Sequence, residues 1–180
     1  MENDLVQSIA LLSRTPRTLD ALLRDLPGIW TSANEGEETW SVVDVIGHLI
    51  DGEKVNWMPR AKMILQYGNK REFEPFDRMR YLREDQGRSL DGLLDEFAQL
   101  RSENLVQLGA LSLSREDLNL RGRHPVFGEV TLAQLLATWA THDLTHLHQI
   151  SRVIAHQNRE AVGPWNQYLG VLHCSGHSSG

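Results

Sequence analysis

The sequence predicts an all-α protein, an antiparallel four-helix bundle with long connections and a short C-terminal helix. Three observations carry this. Apolar residues recur at three- and four-residue intervals in four separate stretches, the period of one helix face. Three of those stretches open on Ser or Thr. In two of them an Asp or Gln three residues on completes a capping box, each side chain satisfying a backbone N–H that the first turn leaves free. No alternating run of strand length occurs, because Val126 to Val130 is short and broken by Gly128. Amphipathic stripes of this kind are best hidden against one another as a bundle.

Leu5, Ile9 and Leu12 give a first helix over residues 3–14. Thr15 before Pro16 reads as an N-cap and first-turn pair. A second piece then runs from Pro16 to Asp25 with Leu19, Leu22, Leu23 and Leu26 inward, until Pro27-Gly28 ends it. Ile29 to Glu38 is a polar loop. Ser41, with Asp44, opens a long helix striped by Val42, Val45, Ile46, Leu49 and Ile50, then Val55, Trp57 and Met58. Pro59 kinks it without ending it, since Ala61 to Tyr67 stays helix-prone. Residues 68–88 are a polar connection with one short turn near Arg78 to Arg83. Ser89 caps the next helix, which reaches Leu108 with Leu93, Leu94, Phe97, Leu100 and Leu105 inward. Residues 110–130 connect onward, with a helical turn at Ser114 to Asp117 and turns at His124-Pro125 and Gly128. Thr131, with Gln134, opens the longest helix, free of Gly and Pro to Gln157. Gly163-Pro164 leads into a short amphipathic piece ending near Leu172. Residues 1–172 read as one domain and 173–180, rich in Gly and Ser, as a flexible tail.

A chain of 180 residues with 41% apolar content needs no special scaffold. Its net charge of −6 and pI near 5.7 argue against binding a nucleic acid. The lone cysteine, Cys174, excludes a disulfide framework and suits a reducing cytoplasm. Neither a signal peptide nor a membrane span is expected, so the expected setting is cytoplasmic, with no membrane partner.

On the longest helix Leu132, Leu135, Leu136, Trp139, Asp143, Leu147, Ile150 and Ile154 share one side. His142 and His146, four apart, lie at its edge in line with Gln149. Two imidazoles one turn apart on an inward face have a metal-chelate geometry, and one more inward His would complete a set of three. The other His inside a helix of the first half is His48, bordering the Ile46/Leu49/Ile50 stripe. Each of these could instead be a hydrogen-bonded histidine at a core margin. His124, His148, His156, His173 and His177 are read as turn, surface or tail residues. The basic run Arg78 to Arg83 reads as a solvated connection, with gripping of an anionic cosubstrate as the alternative.

The block from Trp40-Ser41 through His48-Leu49 to Glu53, followed far downstream by Thr141-His142-Asp-Leu-Thr-His146-Leu-His-Gln149-Ile150, resembles the DinB-like (YfiT-type) metalloprotein superfamily. The resemblance spans residues 3–172. It implies a four-helix bundle holding a divalent metal ion, often zinc or nickel, on three histidines, here His48, His142 and His146. It also implies, for several relatives, transfer reactions that use a low-molecular-weight thiol cosubstrate.

Three neutral imidazoles suit zinc, nickel, copper or ferrous iron and leave a coordination position for water or substrate. An ion so held lowers the pKa of a water or thiol ligand. Together with the resemblance, this implies a metal-dependent transferase that uses a low-molecular-weight thiol on a small-molecule substrate, with a non-catalytic metal-binding stress-response protein or a metal-dependent hydrolase as alternatives. A homodimer is compatible with the sequence. Asp44, Asp51 and Glu53 are candidates to hold the second nitrogen of His48, and Gln149 to hydrogen-bond a metal-bound water or substrate. His142-Asp143-Leu-Thr-His146 differs at one residue from the metallopeptidase pattern. Asp143 is a methylene shorter than the Glu that serves there as general base, and it faces the apolar side.

Overall fold

The computed structural model describes residues 5–84 and 87–174, most of them helical. The helices are α1 (Leu5–Leu12), α2 (Thr15–Leu23), α3 (Gly28–Thr31), α4 (Val42–Asp51), α5 (Trp57–Tyr67), α6 (Arg80–Glu84), α7 (Leu90–Ala110), α8 (Arg115–Leu118) and α9 (Leu132–His156). The bundle is built from the α1–α2 arm, the α4–α5 unit, α7 and α9. In it α1 packs on α9, α2 on α7, and both α4 and α5 on α7 and α9. No helix among the described residues is long and apolar enough to cross a membrane.

The caps that open the long helices are formed. Asp44 N–H donates to Ser41 Oγ at 3.2 Å while Asp44 Oδ2 accepts from Ser41 N–H at 2.8 Å. Thr131 and Gln134 make the same reciprocal pair at 3.1 and 2.8 Å, and Ser89 Oγ accepts from Gly92 N–H at 3.2 Å.

Several expectations are corrected. Thr15 caps nothing: α1 runs almost directly into α2 through a helical Arg14, so the Thr15 hydroxyl donates backwards to the carbonyl of Leu11 at 3.4 Å. The segment after Pro27 is not all loop, since Gly28–Thr31 forms a single turn. Pro59 is not the kink. The distortion precedes it, a π-helical segment Gly52–Asn56 in which Trp57 N–H reaches back to Gly52 C=O. Pro59 then falls in the first turn of α5, where a missing N–H is tolerated.

Residues 121–131 hold a hairpin that polar sequence concealed. β1 (Arg121–His124) pairs antiparallel with β2 (Gly128–Thr131), Arg121 opposite Thr131 and Arg123 opposite Glu129. Gly122 meets the bundle so closely that a Cβ there would lie 2.6 Å from Ile64. With Gly as the one buried residue of the strand, no apolar alternation was there to read. The C-terminal piece is two 3₁₀ turns, Gly163–Tyr168 and Gly170–Leu172, rather than an α-helix. Gly163 and Gly170 leave too few residues between them to nucleate one. Of the expected tail, His173 and Cys174 are described and residues 175–180 lie outside the described residues.

The apolar core comes in two halves. One joins Leu19, Leu23, Ile46, Leu49, Phe97 and Ile150. The other joins Leu12, Trp57, Ile64, Leu108, Leu136 and Trp139. Between them every long helix contributes buried polar residues: Glu53 from the π segment, Arg101 and Asn104 from α7, Asp143 and His146 from α9. Two connections are fastened to the bundle. Arg152 of α9 grips Glu35 with three contacts of 2.7–3.0 Å. Arg60 lies over the Phe73 ring and donates to the carbonyl of Glu74 at 2.9 Å. Farther along the same connection, α6 seats Tyr81 directly on Gly47 of α4.

Candidate metal centre

His48 stands in the last turn of α4, and His142 and His146 stand one turn apart in the middle of α9. Their Nε2 atoms face one another: 3.2 Å separates His48 from His142, and 3.1 Å separates His142 from His146. One ligand atom from each lies within 4.8 Å of the others, and this is the one such group of three found among the described residues. His48 and His146 are buried and His142 is half-buried. A proton can bridge one pair of imidazole nitrogens, but not three that point at a common centre. Bonds of about 2.0–2.1 Å to a single ion would set the nitrogens about 2.9 Å apart at right angles and about 3.3 Å apart at the tetrahedral angle. The two separations fall between, so the donor set fits a divalent transition metal.

Two of the rings, His48 and His142, are held uncharged. Burial above all, then the charges of His146 and Arg78, pushes His48 down to about 3, with the backbone of Arg78 offsetting slightly. Burial likewise drives His142 well below the ordinary imidazole value, aided by His146, His48, Arg101 and Arg78. At neutral pH both therefore offer lone pairs. Aromatic rings crowd the site: Trp40 and Phe76 lie 4.9 and 5.5 Å from the His48 ring, and the Trp57 ring lies edge-on to His142 at 5.1 Å.

Gln149 lies in line with the two ligands as expected, and its partner is an imidazole. Its Oε1 accepts from His146 Nδ1 at 2.8 Å, which fixes the tautomer that presents Nε2 as a lone pair. None of Asp44, Asp51 and Glu53 holds Nδ1 of His48 or of His142. Asp44 is committed to its cap.

Glu53 and Asp143 belong instead to a buried cluster that sequence reading missed. Arg101 binds both oxygens of Asp143 at 2.6 and 2.9 Å, Glu53 Oε1 at 2.8 Å and the carbonyl of Leu12 at 2.9 Å. Asn104 donates to Glu53 Oε2 at 2.9 Å, and Trp139 Nε1 donates to Glu53 Oε1 at 2.9 Å. A signal was available, since Arg101 and Asn104 fall at helical spacing on the line from Phe97 to Leu108. Committed to Arg101, Asp143 is not a general base, and the metallopeptidase reading falls. The remaining described histidines stay apart. His124 Nδ1 accepts from the backbone of Val126 and Phe127, and His148 lies 3.1 Å from Cys174 Sγ. His173 bonds the carbonyl of Asn166, and His156 ends α9. His177 lies outside the described residues.

Among solved structures the chain resembles YfiT from Bacillus subtilis, described as a probable metal-dependent hydrolase with an unusual four-helix bundle topology. The TM-score is 0.73 at 17% identity, over 90% of each chain, a likeness of fold. No curated protein matches the chain. The family model of the DinB superfamily matches residues 11–150. That span runs from α1 through Ile150 and takes in all three converging histidines, the polar layer behind them and the hairpin between α8 and α9. The chain belongs to the DinB superfamily.

Proposed function

We propose that this protein binds a divalent metal ion, zinc or nickel, through His48, His142 and His146, and uses it to activate a low-molecular-weight thiol for transfer to a small electrophile. The observation that carries the reading is the convergence of three imidazole Nε2 atoms from two helices at 3.1–3.2 Å. Such an ion, when bound, is a Lewis acid that lowers the pKa of a thiol or water it holds, and three protein donors leave it a position for one.

The chain's own residues prepare that position. Gln149 holds His146 in the donor tautomer. Trp40, Phe76 and Trp57 surround the rings with apolar surface, which strengthens electrostatic interactions at the centre. Arg78 is exposed, its charge acts on both His48 and His142, and it has no carboxylate partner among the described residues. It is placed to meet the carboxylate of an anionic cosubstrate. The thiol comes from that cosubstrate. Cys174 sits beside His148, which, two residues beyond His146, lies nearly opposite the centre on α9.

Metal analysis of the purified protein and of His142→Ala tests the first half: about one ion per chain in the former and loss in the latter are expected. Cobalt(II) loading followed by thiol titration tests the second. A new sulfur-to-cobalt charge-transfer band, with thiol transfer to an alkyl or aryl halide, is the expected result, and a spectrum indifferent to thiols overturns it. The likeness to YfiT supports a second reading, in which water takes the place of the thiol. Ester or amide hydrolysis without added thiol, together with that indifferent spectrum, selects it.

A further inference from the structure

The buried cluster behind the histidines holds two acids to one base. Ion pairing alone would be satisfied by one carboxylate on Arg101, yet Arg101 serves both Asp143 and Glu53, and Asn104 and Trp139 add donors to Glu53. Arg101 and Asp143 are each 1% exposed and Glu53 is 2% exposed, so water does not screen them. The cluster carries a formal charge of −1 in the interior. A buried excess anion is costly unless a cation lies near.

The three imidazoles show where that cation belongs. They contribute no negative charge, so a dication among them would bring two uncompensated positive charges into a buried place. The cluster borders it by covalent and packed routes. Asp143 follows His142 directly on α9, and Glu53 follows His48 along the same run of helix. Trp57 touches His142 at 5.1 Å and stacks at 5.9 Å on Trp139, whose indole N–H ends on Glu53.

We propose that Glu53, Arg101 and Asp143 form the built-in counter-charge of the metal centre, setting its affinity for a divalent cation through their net negative charge. This rests on the metal-binding reading above. Arg101 moderates the field of the two carboxylates while fastening α7 to the helices that bear the ligands. The three are positioning and charge-balancing residues that touch neither ion nor substrate.

A charge series tests it. Glu53→Gln and Asp143→Asn each bring the cluster to zero with near-isosteric side chains, the double variant brings it to +1, and Glu53→Asp keeps −1. Zinc and nickel affinities are measured by competition with a chromophoric chelator, and the urea midpoint of each metal-free variant is measured alongside. At a separation of roughly 10 Å and an effective dielectric near 20, one charge shifts the affinity of a dication by about a hundredfold or more. Each neutralised variant is expected to lose at least that, the double variant more, and Glu53→Asp little. The losses should persist at high salt and should not follow the urea midpoints. Equal affinity in all folded variants, or losses that track metal-free stability, overturns the proposal while leaving the histidine site intact. Failure of the wild-type protein to bind either ion overturns the metal-binding reading with it. Because the two carboxylates lie on different helices, misfolding of one variant leaves the other to decide.

Discussion

Gln149 decides which nitrogen of His146 faces the centre, and its replacement is informative because it is not itself a donor to the ion. Gln149→Leu should weaken zinc or nickel binding by about 10–100-fold, the usual effect of losing such a support, with helix α9 intact by circular dichroism. Protonation of His48 gives a second prediction. Its folded value of about 3 lies below the ordinary 6.5, so the unfolded chain takes up the proton more readily. The stability it contributes is complete above about pH 6.5 and is lost as the pH falls towards 3. His142 acts in the same direction. Urea midpoints of the metal-free protein should therefore fall across this window, and less steeply in His48→Phe. Much at this scale was legible. The i, i+4 pair on α9 and the inward setting of His48 pointed to one centre, and Gln149 was read in line with it. Its partner differs from the expected water or substrate because a glutamine three residues after a histidine can reach that ring itself. Arg101 was passed over because a charge within a leucine-rich helix reads as solvated unless its position on the apolar stripe is weighed.

The α4–α5 unit shows how an element can carry information that its apolar pattern does not. Capping boxes at Ser41 and Thr131 could be read directly, because a cap is a local contract between two side chains and two backbone groups. The π segment Gly52–Asn56 could not, because one wide turn leaves no mark that a Pro nearby does not also explain. Nor could the seating of α6, which depends on Gly47. A Cβ at that position would lie 2.2 Å from the Tyr81 ring. Alanine there gains about 1 kcal/mol of helix propensity, but forcing Tyr81 aside costs about 1–3 kcal/mol. Overpacking should win. Gly47→Ala is expected to lower the urea midpoint, and adding Tyr81→Ala should recover part of that loss by a coupling that the double-mutant cycle isolates.

For the whole molecule, the centre joins α4 to α9, so an ion bound there should act as a brace between two sides of the bundle. Saturation at a hundred times the dissociation constant stabilises a fold by about 2.7 kcal/mol. For a domain of this size that is a rise of about 5–10 °C in the melting temperature. Calorimetry with zinc and then with a chelator should show the rise and its reversal, and His146→Ala should show neither. The division of the core has a consequence of its own. Two oily compartments, each sealed by its own leucines and aromatics and parted by a charged diaphragm, need not melt together. Amide exchange of the metal-free protein should resolve two groups of slow amides with separate opening energies, one around Ile46 and Phe97 and one around Ile64 and Leu136. An ion pinned at the diaphragm, touching helices that run through both compartments, should draw the two into a single event.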